Sequence, residues 1–368
     1  MTMPVAPEDP VGFTSLIVCL ILLLIFGLAA SCEAQDEPDF VPNPGTAKLR
    51  VATDEWLVWE RMNVTDPRSH LPRCTYSYYL QKNVGEVAQL VYQYSGTAYE
   101  SERVRGVLKD GTLVMEKVET SLFFVNRDGI KTPVSGFPIR LGKDLAEVLA
   151  VYDDGVLVRA GDPNNYKPVY FIPWLANSLD LQKMFMVSDE TGTKAGFTTQ
   201  VFRKGNLLAL SGARLLIFDL SNRTHEYFSF GSLPRWFPAI HAFDGETVVF
   251  GTGYYGCVIG SNYDCYTKPG FNIKTGRQFL GVVAGSTIAV KNRIAYVIQE
   301  SSCDKGDCAV QLTAHDLYST NDQKRTLIDL SGIKPTEVAY VAREDALTVW
   351  TGQQWKRIEW LPESQSRN

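Results

Sequence analysis

The chain has 368 residues, 45% of them hydrophobic and 11% aromatic, with 17 Tyr and 18 Phe and a formal net charge of −5. That apolar content is enough to bury a large core and excludes a disordered chain. The charges are interspersed with no basic run or stripe, which excludes nucleic acid as a partner. The aromatic content favours strands, where flat rings pack on a pleated surface.

Phe13 to Ala30 is uncharged and centred on Leu20-Ile21-Leu22-Leu23-Leu24-Ile25-Phe26. Such a run is long for a signal-peptide core and just long enough to cross a bilayer. It ends in Leu28-Ala29-Ala30-Ser31-Cys32, which resembles a bacterial lipobox with Cys32 as the lipidated residue, although Ala29 stands where that motif prefers Leu. Residues 1–12 carry no Lys or Arg and two acids, Glu8 and Asp9, so positive charge does not orient the segment. Three readings stand: a lipoprotein modified at Cys32, an uncleaved single-pass anchor, and cleavage near Ala34. All place residues 33–368 outside the cytoplasm, with the membrane as a partner through the N-terminus. Residues 33–45, with Pro38, Pro42 and Pro44, read as a stiff tether.

From residue 46 to 362 one pattern recurs, a two-residue turn followed by an apolar strand. The turns are Asp54-Glu55, Asp110-Gly111, Asp154-Gly155, Lys204-Gly205, Asp244-Gly245, Lys291-Asn292 and Glu344-Asp345, at intervals of 56, 44, 50, 40, 47 and 53 residues. Gly, Asn and Asp suit such turns because they tolerate positive φ. A strand precedes each turn, a third follows in most copies, and several add a fourth after a polar turn. Four short strands every 40–55 residues is the pattern of a β-propeller blade. The predicted fold is therefore all-β, a seven-bladed propeller of four-stranded antiparallel blades behind an N-terminal anchor or signal segment. A pair of β-sandwiches is the competing arrangement. Lys274-Thr275-Gly276, between two strands of the fifth copy, resembles the broad quinoprotein-like and WD-like propellers. That resemblance implies a fold and no function. The last copy shows three strands, Leu175 to Ser188 is where a short helix or long loop interrupts the pattern, and 363–368 form a polar tail.

Cys257 and Cys265 lie eight apart, Cys303 and Cys308 five apart, and each pair reads as a local disulfide of an oxidising compartment. Neither spacing suits zinc. Cys74 is left as a buried thiol or as a partner for Cys32. Asn63-Val64-Thr65 and Asn222-Arg223-Thr224 are glycosylation sequons.

Of the four His, none forms HxxxH or HExxH. His241 reads as a core or channel residue on a first strand, and His315 as a surface residue. There is no G-x-S-x-G elbow, no Walker sequence and no helix-opening G-x-G-x-x-G. Asp153-Asp154-Gly155 and Asp304 to Asp307 lack the alternation of a calcium loop and read as solvated turns. No metal or cofactor is expected. Two candidate sites remain. Asp153, Arg203 and Arg343, at the ends of first strands, form a potential anion site. The Gly-rich loop bearing Tyr254, Tyr255, Tyr263 and Tyr266 suits recognition, because rings supply area at low entropy cost. Together these features point to a membrane-tethered, extracytoplasmic propeller that binds a protein or glycan or serves as a scaffold. The rival is a hydrolase or lyase acting on glycans or esters in the central channel; a redox-cofactor propeller is a weaker third.

Overall fold

A computed structural model describes residues 39–67, 72–97, 102–117, 120–141, 144–159, 168–188, 200–211, 215–228, 238–252, 270–272, 277–278, 285–300, 309–317, 324–333 and 338–362. Most of it is strand, and the blades are seven antiparallel sheets in chain order. Blade one is β2 (Lys48–Ala52), β3 (Leu57–Asp66), β4 (Arg73–Gln81) and β5 (Ala88–Thr97), with β1 (Asp39–Phe40) added outside β5. Blade two is β6 (Glu102–Val107), β7 (Leu113–Lys117), β8 (Ser121–Val125) and β9 (Lys131–Pro133), followed by the small pair β10 (Arg140–Leu141) and β11 (Asp144–Leu145). Blade three is β12 (Glu147–Tyr152), β13 (Gly155–Arg159) and β14 (Val169–Leu175), closed by β15 (Ser178–Leu179) and β16 (Phe185–Ser188). Blade four is β17 (Val201–Lys204), β18 (Leu207–Ser211), β19 (Leu215–Asp219) and β20 (Thr224–Phe228). Blade five is β21 (Pro238–Phe243), β22 (Thr247–Thr252), β23 (Gly270–Asn272) and β24 (Arg277–Gln278). Blade six is β25 (Ser286–Lys291), β26 (Ile294–Glu300), β27 (Val310–Asp316) and β28 (Lys324–Asp329). Blade seven has three strands, β29 (Tyr340–Ala342), β30 (Ala346–Trp350) and β31 (Trp355–Glu359).

Second strands are apolar at consecutive positions because each blade is covered on both faces, and successive side chains point to opposite neighbours. Val58 packs into the core shared with blade two, whereas Leu57 and Trp59 join Val341 and Trp355 of blade seven. Val156 and Val158 face blade two while Leu157 faces blade four. Ala295 and Val297 face blade five while Ile294 and Tyr296 face blade seven. Seven such cores fill the seven interfaces and make the ring. Each fully buried Leu, Val or Ile contributes about 1.5–3 kcal/mol.

Among the described residues no strand is shared between blade seven and blade one. β1 pairs with β5 of blade one, Asp39 opposite Gln89 and Phe40 opposite Ala88, so it adds nothing to blade seven. Asp39 and Phe40, within the segment read as a stiff tether, are thus paired with blade one, the Phe40 ring edge-on to Tyr79 at 4.5 Å. Blade seven meets blade one through side chains: the Trp59 and Trp355 rings lie 6.1 Å apart, and Arg343 Nη2 donates to the Lys82 carbonyl at 2.6 Å.

The interruption after Leu175 is a turn at Ala176 and a 3-10 helix, Leu181–Lys183, capped by Asp180. His315 is buried, contrary to its surface reading, because β27 is an inner strand with both faces covered; its Nε2 lies 2.8 Å from Thr313 Oγ1. Cys74 is a buried free thiol. Among the described residues no helix is long and apolar enough to cross a membrane. Phe13–Ala30, Cys32, Cys257, Cys265, Cys303, Cys308, Asp304 to Asp307 and the Tyr254, Tyr255, Tyr263 and Tyr266 loop lie outside the described residues.

Candidate functional site

The first strand of each blade is the inner edge of its sheet, so the first turns gather around the axis at one opening of the channel. Most of these turns hold positive φ where the sequence predicts it, at Gly111, Gly205, Gly245 and Asn292. Gly155 differs: its φ is ordinary, and the glycine is required because a Cβ there would stand 2.4 Å from the Ile172 carbonyl oxygen and 2.7 Å from Phe171 Cζ.

The charged turn residues meet across the axis. Lys204 of blade four reaches Glu344 Oε1 of blade seven at 2.5 Å and Asp54 Oδ2 of blade one at 3.8 Å. Lys291 of blade six holds Glu344 Oε2 at 3.2 Å. Asp54 Oδ1 accepts from the Glu344 backbone N–H at 2.9 Å. Four blades are thereby linked at one opening by their own side chains. The two lysines hold the Glu344 carboxyl below its ordinary range, Lys204 chiefly and Lys291 next. Burial pushes the neighbouring Asp244 upward, although the Thr247 and Glu246 amides donate to it.

Asp153, Arg203 and Arg343 lie on this same face, each joined to an adjacent blade. Asp153 Oδ1 accepts from the Lys109 amide at 2.5 Å. Arg203 grips Asp154 through both terminal nitrogens, at 2.5 and 2.7 Å, and lies over the Tyr152 ring at 4.6 Å. Arg343 donates to Lys82 and to Asn83 Oδ1 at 3.4 Å. Asp153 and Asp154, exposed as their solvated-turn reading expects, also latch blade three to blades two and four.

Toward the other opening, a β-bulge recurs in the first strands of blades one, two, three, five and six, after Leu49, Val104, Val148, Ile240 and Thr287. Bulges re-aim the extra side chain. In blades one and two that residue is an arginine: Arg50 pairs with Glu60, and Arg105 Nη2 with Glu116 Oε2 at 2.5 Å. Blade three reverses the order, Glu147 on the first strand pairing with Arg159 on the second. His241 is the bulge residue of blade five and is half-buried. None of these residues except His241 was anticipated; the available signal is Arg at matching positions in Leu49-Arg50-Val51 and Val104-Arg105-Gly106.

A hydrogen-bonded tyrosine cluster stands behind this wall. The Tyr78 hydroxyl lies 2.8 Å from Glu60 Oε2 and 2.9 Å from the Glu102 carbonyl, donating to one at a time. Tyr92 donates to the Glu102 carboxylate, which also pairs with Lys131 at 3.4 Å. Burial, reinforced by these carboxylates, pushes both phenols well above the usual tyrosine range, so both stay protonated and donate to those carboxylates. Among the described residues no group of three or more metal-ligating side chains converges.

No protein family's sequence profile matches the chain, and no curated protein sequence matches it. Among solved structures, an oligogalacturonate lyase in complex with manganese is similar at 9% identity and a TM-score of 0.44, over 85% of this chain and 99% of that one. Prolyl oligopeptidase B from Galerina marginata is similar at 9% identity and 0.40, over 84% of this chain and 47% of that one. BBS1N in complex with ARL6DN is similar at 10% identity and 0.39, over 89% and 98%. At such scores none of them assigns a substrate or a site to this seven-bladed chain.

Proposed function

We propose that the chain is a membrane-tethered, extracytoplasmic propeller that works as a protein-binding or scaffold module. The observation that carries this reading is the tie across the axis. Lys204, Lys291, Glu344 and Asp54 satisfy one another across the axis, so this opening is spanned by side chains of four blades and supports a binding face on the rim rather than a reacting centre there. The tether, its lipidation at Cys32 and the exported location are part of the same proposal, supported by the apolar run before Cys32. The test is purification of the full chain from native membranes in mild detergent, with co-eluting proteins quantified by mass spectrometry. A partner at near-equal amounts is expected. A chain that elutes alone and turns over a glycan or ester would overturn the proposal.

One observation favours that second reading, an enzyme acting in the channel. The Arg50–Glu60, Arg105–Glu116 and Glu147–Arg159 pairs line up on neighbouring blades, away from the tied opening. Paired guanidinium and carboxylate groups suit hydroxyl-rich ligands. Loss of turnover in Arg50→Ala with an unchanged melting temperature would establish it.

A further inference from the structure

We infer that the inner wall of blades one and two, at the opening opposite the axial tie, binds a phosphate monoester of a hydroxyl-bearing alcohol; this names a ligand for the channel reading and rests on that reading for its location. The innermost strands of these blades, β2 and β6, pack beside one another. Both carry base-apolar-base near their start, Lys48-Leu49-Arg50 and Arg103-Val104-Arg105. The other first strands open differently, on Glu147, Val201, Pro238, Ser286 and Tyr340. Directly opposite residues of an antiparallel pair share a face. Lys48 stands opposite Glu60 and Arg103 opposite Glu116, and the bulges turn Arg50 and Arg105 to those same acids. Each blade thus sets two bases around one acid, while Glu102 nearby is paired with Lys131. The acids are withdrawn: the Glu60 and Glu116 side chains are 9% and 4% exposed, against 36% and 28% for Arg50 and Arg105. The channel therefore meets guanidinium rather than carboxylate, with four bases against two acids among the described residues.

The hydrogen bonds leave a defined donor edge. Arg50 turns Nε and Nη2 to Glu60 Oε1, and Arg105 turns the same two nitrogens to Glu116 Oε2. Among the described residues neither Nη1 has a partner or is buried. The outer Nη1–Nη2 fork of a guanidinium matches two oxygens of one oxyanion. Glu60 is itself held by the Tyr78 hydroxyl at 2.8 Å, so the Arg50 fork is oriented before a ligand arrives. Two forks on neighbouring strands suit a tetrahedral dianion, which offers three oxygens, better than a carboxylate, which fills one fork. On blade three the order reverses, with Glu147 exposed and Arg159 half-buried. That carboxylate repels further anionic groups and accepts from a hydroxyl, so it suits the alcohol part of a monoester.

The test titrates the full chain in mild detergent at low salt with glycerol phosphate, inorganic phosphate and acetate, by isothermal calorimetry. Glycerol phosphate should bind tightest and inorganic phosphate next, with acetate at least tenfold weaker than phosphate. Arg50→Gln and Arg105→Gln should each weaken phosphate at least tenfold, because a charge-assisted fork is lost. Glu147→Gln should bring glycerol phosphate to the level of inorganic phosphate. Where an arginine variant loses its fold, Lys48→Gln serves instead, since that side chain is exposed; it should weaken phosphate and flatten the salt dependence. Absence of phosphate binding, equal affinity for acetate, or wild-type affinity in all three of these base variants would overturn the inference. Phosphate bound without turnover of any ester would uphold the site and remove the enzyme. Turnover of a glycan or ester by a chain that binds no phosphate would do the reverse.

Discussion

Replacing Trp59 with alanine tests how the ring is held shut. Trp59 is fully buried in the only interface that joins the last blade to the first, edge-on to Trp355, and its Nε1 donates to Gln81 Oε1 at 2.8 Å. Removing the indole costs about 3–5 kcal/mol in lost burial and cavity. It also leaves the buried Gln81 acceptor without its donor, which adds about 1 kcal/mol. Unfolding entropy is about 2.1 cal/mol/K per residue, so roughly 320 folded residues give ~0.7 kcal/mol/K. A loss of ~5 kcal/mol then lowers Tm by about 7 °C. Because none of the described strands crosses this interface, the damage should be local. Hydrogen exchange should accelerate first in β29 to β31 and in β2 and β3, while blade four stays protected. Leu210→Ala, in a fully buried position of blade four, should cost about 2–5 kcal/mol without that pattern. A fall in Tm below about 3 °C, or exchange rising evenly around the ring, would refute the reasoning.

Gly155→Ala places a Cβ against the Ile172 carbonyl and Phe171, neither free to move, and should lower the urea midpoint by an amount equivalent to about 1–3 kcal/mol. Tyr78→Phe removes the hydroxyl shared by Glu60 and the Glu102 carbonyl; a loss of about 1–3 kcal/mol in chemical denaturation is expected, and a neutral result would mean water replaces it. Glu344 has a depressed pKa in the folded state, so its contribution is present above the unfolded carboxylate value near 4.3 and is lost as pH falls through the lower folded value. Stability curves of the wild type and Glu344→Gln should therefore converge at acid pH and separate above about pH 4.5, by only ~0.5 kcal/mol because the site is solvated. Asp154→Ala, which frees Arg203 from its two-point grip, should cost about 1 kcal/mol and increase exchange in β17 more than in β25.

The repeated turns and apolar second strands of the sequence correspond closely to the blades, because a turn's φ requirement and a strand's burial are local properties. Leu208-Ala209-Leu210 and Val156-Leu157-Val158 sit where the pattern places them. The links between blades are a different matter. Lys204 meets Asp54 and Glu344, 150 and 140 positions away, only because the ring closes, and no local rule connects a Lys-Gly turn with an acid on the far side. Asp153 and Arg343 were recognisable as strand-end residues but not as latches, since their partners belong to adjacent blades. Gly155 was read for φ when its reason is the ring of Phe171. His315 looked solvated because its Asp316 neighbour suggests a strand end, whereas the depth of a third strand depends on what covers it. Arg50 and Arg105 owe their placement to bulges, which leave little trace in residue type.

The two-residue pairing of β1 has a mechanical consequence. A pull on the N-terminus first loads the Asp39–Gln89 and Phe40–Ala88 ladder together with the packing of the Phe40 ring on Tyr79. Once that gives way, roughly eight residues between Asp39 and Lys48 can extend to ~3.4 Å each, a contour of at most about 25–30 Å from which the distance already spanned is subtracted. Beyond that point the force reaches β2, the innermost strand of blade one, whose neighbours on both sides resist its withdrawal. The attachment thus behaves as a short spring in series with a stiff ring, absorbing small displacements at its base while the propeller keeps its shape.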